Sequence, residues 1–233
     1  MRLTVILPAL TILIGTSGLG WGILNLRNAA IVDELRSYEA RVLQYERFST
    51  AAAKRVVDSA AAQHLGGCEN HAQRALLLLE IPLAEAALRS GAAQEFDRRL
   101  RSIQVRSEQV LACVPRDSLA WLLLFGIETM HGRIDNHAFE LLATSYETSP
   151  NEAWVGLRRV TVATPVLLSA PEAIREKILD EFKNLVDRRY EDIPARAYLA
   201  APAAARKLLQ SRIEELDSGR QEAFANAMRK LRP

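Results

Sequence analysis

The chain has few of the residues that favour strands or that punctuate a fold. Aromatic side chains make up 6% of its 233 residues and glycine contributes eleven, while alanine and leucine are abundant. Strands prefer β-branched and aromatic side chains, whereas Ala and Leu lose little on entering a helix. The composition therefore points to an all-α fold and predicts no strand. Charge of one sign is not in surplus either. Thirty basic and 28 acidic residues are mixed along the chain and give a formal charge of +2. No broad field draws such a chain onto a polyanion, so nucleic acid is not an expected partner. Cysteine is down to two, too few for a stapled scaffold, and at this length a core can be buried without metals.

Catalytic patterns are also missing. There is no glycine loop to cradle phosphate, no nucleophile elbow and no HExxH. The nearest approach to a metal set is His64, Cys68 and His71, spaced by four and three, but Gly66 and Gly67 lie inside it and interrupt the shared helix face. Paired carboxylates such as Glu214 and Glu215 read as solvated helix faces. The chain is read as non-enzymatic, with no catalytic residue, cofactor or metal.

Leu3 to Leu24 form an uncharged run between Arg2 and Arg27, long enough as a helix to cross a hydrocarbon core of about 30 Å. This predicts a membrane anchor over residues 1–27 that contacts the bilayer through 3–24. A cleaved secretory signal and a buried core helix are the competing readings. The short leading tail favours an N-inside orientation, which makes the chain a single-pass inner membrane protein with its C-terminal domain in the periplasm. Thr11, Gly15, Gly18 and Gly22 stand four, three and four apart, a small-residue face on which another membrane helix could pack. Residues 28–67 read as an amphipathic helical linker, with Ile31, Leu35, Tyr38, Val42 and Tyr45 as a coiled-coil-like stripe. That stripe suits packing back on the domain as well as it suits homo-oligomers through anchor and linker.

From residue 68 to 233 the pattern is of helices in pairs: 69–90 with 94–112, then 118–130 with 136–146. Consecutive hairpins suggest a solenoid. Pro115 stands six residues before Trp121, Leu124 three after it and Gly132 eleven after it. Ala138, Leu142 and Ser145 follow at small, large and small positions, Pro150 closes the segment, and Trp154 with Leu157 begins it again. In these residues, Pro115–Leu157, the chain resembles the tetratricopeptide repeat. The resemblance implies antiparallel hairpins stacked as a short solenoid, with Trp121 and Leu142 filling the gaps between hairpins. Phe125 stands where that family has glycine, and an unrelated helical bundle is the alternative.

Together these features predict a membrane-anchored scaffold of the bacterial cell envelope that binds protein partners at the membrane. The second reading is an accessory subunit of a membrane enzyme or transporter, for example in polysaccharide export or cytochrome maturation, docked through its transmembrane helix. Cys68 precedes the first helix of the first hairpin and Cys113 follows the second, and in an antiparallel pair those ends are neighbours. The two are expected to form a disulfide in an oxidising compartment and to be free thiols in a reducing one. Alkylation with a mass-shifting reagent checks the pairing. Without reductant neither thiol should label, and after reduction both should.

Overall fold

The computed structural model describes residues 3–43, 48–63 and 65–231, and within the first of these the side chains of 12–23 and 29–42. The fold is all-α, 83% helical and without strands among the described residues. The chain divides into two compact units, Met1–Arg99 and Leu100–Pro233.

The first unit begins with α1 (Leu3–Leu43), a single helix that runs unbroken through residue 27. Then come α2 (Thr50–Val57), α3 (Ala60–Gln63) and α4 (Asn70–Arg89), and α5 (Ala93–Cys113) starts here and crosses the division. Both α1 and α2 pack on α4. Leu35 of α1 is buried with Val57, Leu76, Leu79 and Leu83, and Ile31, Tyr38 and Val42 pack against the same cluster. The linker stripe is thus an intramolecular seam, while Tyr45 lies outside the described residues. A buried carboxylate fastens that seam: Glu39 of α1 accepts from Arg74 Nη1 at 3.0 Å and pairs with His71 Nδ1 at 2.8 Å. At the start of α5 the buried Arg99 donates to Glu95 at 2.8 Å and reaches Asp58 at 2.9 Å. Arg98, hydrogen-bonded to the same carboxylate, is the main reason that Glu95 is held down to about 2.

One expectation is overturned in α1. Among the described residues no helix is long and apolar enough to cross a membrane, so the single-pass inner membrane placement, with its bilayer contact and periplasmic domain, is withdrawn. Gly15, Thr16, Ser17, Gly18, Gly20 and Gly22 make up half of 12–23, the residues at this end whose side chains are described, and charge returns at Arg27. Docking of an accessory subunit through a transmembrane helix falls with it.

The second unit contains α6 (Ser118–Met130), α7 (Asn136–Thr148), α8 (Ala153–Ala163), a 3-10 turn at Thr164–Ser169, α9 (Glu172–Asp187), α10 (Asp192–Ala200), α11 (Ala203–Glu214) and α12 (Ser218–Leu231). Helices α6 and α7 make a hairpin, and each has an aspartate at its N-cap. Asp117 accepts from the Ala120 amide and Asp135 from the Ala138 amide, both at 3.0 Å, satisfying donors that a helix start leaves open. Beyond the hairpin α8 packs on α9 and α10, α9 on α11, and α10 on α12. One core runs through them, from Phe125, Leu142 and Val155 to Phe182, Leu209 and Phe224. Pro202 occupies the N-cap of α11 and separates it from α10, since a proline cannot continue a helix into which it would have to donate.

Three helices close with the same left-handed residue. Gly91 after α4, Gly132 after α6 and Arg189 after α9 have φ of +71°, +73° and +68°. Each is followed by an amide that bonds back five residues, Ala92 to Ala87, Arg133 to Glu128 and Tyr190 to Leu185, the pattern of a Schellman cap. Only Arg189 carries a Cβ into that conformation, which costs roughly 1–2 kcal/mol. Replacing Arg189 by glycine is expected to raise unfolding stability by ~1 kcal/mol, net of the entropy that glycine adds to the unfolded chain; chemical denaturation of the two proteins measures it.

Candidate functional site

The helix α8 is apolar on its buried side except at one position. Val155, Arg159 and Ala163 are spaced by four and share that side, and Arg159 has no exposed surface at all. A buried guanidinium is tolerated only when every donor is met. Arg159 Nε donates to both Glu181 oxygens, at 3.0 and 3.2 Å, and Nη2 donates to Glu181 Oε1 at 2.7 Å. Nη2 also reaches the Ser149 carbonyl at 2.9 Å, while Nη1 donates to the Ser145 carbonyl at 2.9 Å and the Ser118 hydroxyl at 3.1 Å. The ring of Tyr146 lies 4.6 Å from the guanidinium carbon, within cation–π range. One side chain thus joins α6, α7, α8, α9 and the turn before α8.

Serines let the hairpin close on this arginine. Ser118 Oγ donates to the Ser145 carbonyl at 2.8 Å, and Ser145 Oγ donates to the Ser118 carbonyl at 2.9 Å. The reciprocal pair satisfies buried groups where α6 and α7 cross. On α8, Gly156 faces α9 so closely that a Cβ there would fall 2.8 Å from Glu181 Oε1.

On the far side of the charge pair a cleft of about 400 Å³ opens between the end of α7, the start of α8 and α9. Its floor is Tyr146, Gly156 and Glu181; Pro150, Asn151 and Glu152 form one lip, and Lys177, Asp180 and Arg188 line the α9 wall. Burial pushes the Glu181 carboxyl above its usual range, and the Arg159 hydrogen bonds offset that in part. Burial, then the Glu181 charge, raises the Tyr146 phenol well above its ordinary value. The Tyr146 hydroxyl is buried beside Glu181; it makes no hydrogen bond of ordinary geometry, although it interacts with the Glu181 carboxylate. With its exposed lips and two desolvated polar groups below, the cleft can accept a polar or charged group from outside.

The residues singled out by sequence are distributed around this site. Ala138 and Leu142 are fully buried in the core. Trp121 is half-buried on α6, its indole donating to the Pro115 carbonyl at 2.8 Å, and Leu124 packs against the same core. Gly132 is the left-handed residue closing α6. Pro150 is on the cleft lip, and Trp154 is half-buried one turn before Arg158, whose guanidinium carbon lies 5.6 Å from its ring. Cys68 and Cys113 are both disulfide-bonded and neither is free. Of the candidate metal set, His71 is engaged with Glu39, and His64 lies outside the described residues. Of the small-residue face, Gly15, Gly18 and Gly22 have nothing within 4 Å of where a side chain would be, and the Thr11 side chain lies outside the described residues.

Arg159 and Glu181 were not singled out from the sequence. Both break an apolar stripe, Arg159 between Val155 and Ala163 and Glu181 between Ile178 and Leu185, and that is the signal that finds them. Comparison of the chain with known protein families, with curated proteins and with solved structures gives no match.

Removing one member of a buried ion pair strands the other charge, at a cost of about 3–5 kcal/mol. Arg159→Met alone is therefore expected to lower the melting temperature by about 6–20 °C. Adding Glu181→Leu to it should recover part of that loss, because no charge is then left unpaired. Thermal unfolding of the single and double variants, followed by circular dichroism, checks both expectations.

Proposed function

We propose that the chain is a non-enzymatic helical-repeat scaffold that binds another protein, with the tetratricopeptide-like hairpin at Pro115–Leu157 as its core module. The membrane tether of the initial expectation is not part of this reading. The observation that carries it is the cleft beside the stacked helices. Its lips are exposed and polar, and its floor is held by a charge pair whose partners come from four helices. A floor so fixed is suited to recognition, since groups already ordered lose little entropy when a partner arrives. Three features of the hairpin support the repeat assignment: Ala138 and Leu142 at full burial, the left-handed Gly132 at the turn and Trp121 packed, partly buried, against the same core.

The arginine that could stabilise developing negative charge has its donors occupied by Glu181, Ser118, Ser145 and Ser149. The described residues contain no group of three or more metal-ligating side chains.

The test is quantitative affinity capture with the full chain, comparing the natural sequence with an Asn151→Trp, Asn184→Trp variant that fills the cleft from its exposed lips. At least one captured protein should fall tenfold or more in the variant while its helical circular dichroism is unchanged. Identical captured sets for the two proteins would overturn the reading.

A further inference from the structure

From the charge pattern of the cleft we infer that it seats a basic side chain, arginine or lysine, carried on an extended segment of a partner protein whose neighbouring residues are acidic. This deepens the scaffold reading and rests on it. Lys177, Asp180, Glu181, Asn184 and Arg188 recur along α9 at steps of three, one, three and four, so they form one stripe, and the cleft is built on it. Read along the helix the stripe is positive, negative, negative, neutral, positive. Its ends, Lys177 and Arg188, lie eleven residues apart, roughly 16 Å at 1.5 Å per residue, which is about the length of five residues of extended chain. A segment with a cation at its centre and an anion two positions to either side matches that pattern.

Three observations give the centre its preference for a cation. Glu152, the N-cap residue of α8, lines the cleft with Asp180, so it adds a second carboxylate from the side opposite α9. Tyr146, 7% exposed, brings to the floor a hydroxyl that makes no hydrogen bond of ordinary geometry beyond its interaction with Glu181. A buried polar atom without a well-formed bond is destabilising, and a donor or acceptor from outside relieves it. Most of the rim charges are uncommitted: among the described residues Glu147, Glu152, Lys177 and Arg188 form no ion pair, while Asp180 shares a long ion pair with Arg212 at 3.7 Å. A nucleic acid strand would bring phosphates against Glu147, Glu152 and Asp180, and like charges at that range repel. A protein segment of mixed charge meets each rim group with its opposite.

Three capped pentapeptides on the full chain provide the test: acetyl-Asp-Gly-Arg-Gly-Asp-amide, the same peptide with citrulline for arginine, and acetyl-Lys-Gly-Glu-Gly-Lys-amide. Binding is read by competition against a fluorescent copy of the first. The arginine peptide is expected to bind saturably, tenfold or more tighter than either of the others. Glu152→Gln with Asp180→Asn, both on exposed lips, should weaken it about tenfold at unchanged melting temperature, and Tyr146→Phe should weaken it several-fold. Gly156→Ala, whose new methyl would crowd Glu181, should abolish binding, but the lip variants decide the matter if that protein fails to fold. The inference is overturned if no peptide saturates, if the charge-reversed peptide binds as well, or if the lip variants bind like the natural sequence. Failure here together with loss of a captured protein on filling the cleft would leave the scaffold reading standing without this partner chemistry. Peptide binding with no change in the captured set would do the reverse.

Discussion

The second unit is organised around a charge that water cannot reach. Arg159 is inaccessible to solvent, and a bare guanidinium in that position would cost many kilocalories per mole; it is tolerable because Glu181, two carbonyls and a hydroxyl surround it. Other local choices follow from this one. Serine is required at 118 and 145 so that α6 and α7 can approach while leaving a carbonyl and a hydroxyl facing the arginine. Glycine is required at 156 because the carboxylate of Glu181 must come down onto α8. Tyr146 gives the guanidinium its aromatic face and carries its hydroxyl toward the cleft floor as a consequence. The cleft and the buried pair are therefore two sides of the same construction.

The first unit meets a similar demand more cheaply. Glu39 is nearly buried on a helix whose neighbouring residues Leu35 and Val42 supply the apolar contact, and it takes its partners from one turn of α4, at His71 and Arg74. Both partners are partly exposed, so less charge is desolvated and the local dielectric stays higher. At Arg99 the guanidinium is again buried, but its carboxylates, Glu95 and Asp58, reach solvent. The pair at Arg159 and Glu181 is more enclosed than either, and burial pushes the Glu181 carboxyl above its usual range.

Helical periodicity carried most of the fold. Apolar spacing, with Gly132 at the turn, placed helices at 69–90, 94–112, 118–130 and 136–146, and their boundaries lie within a few residues of those observed. Periodicity could not decide what a stripe packs against. Ile31, Leu35, Tyr38 and Val42 suited a second copy as well as they suited α4, and only the tertiary structure chooses. Arg189 in a left-handed cap was invisible because the chain there offers no glycine. The N-terminal run was read as a span from its length and freedom from charge, and among the described residues no helix is long and apolar enough to cross a membrane. The candidate site was the least legible part. A polar residue on an apolar stripe reads as noise until its partner, 22 residues away in the case of Arg159 and Glu181, is brought alongside.

The reach of Arg159 also bears on how such a chain can change over evolutionary time. In an open stack of repeats each hairpin touches only its neighbours, so repeats can be duplicated or lost with little penalty elsewhere. Here the residues that satisfy one side chain come from three other helices and a turn, and their order and spacing are fixed by it. A hairpin inserted between α6 and α9, or one deleted there, would leave a charge without its ligands. Insertion or loss of a helix is therefore tolerated only outside the segment from Ser118 to Glu181.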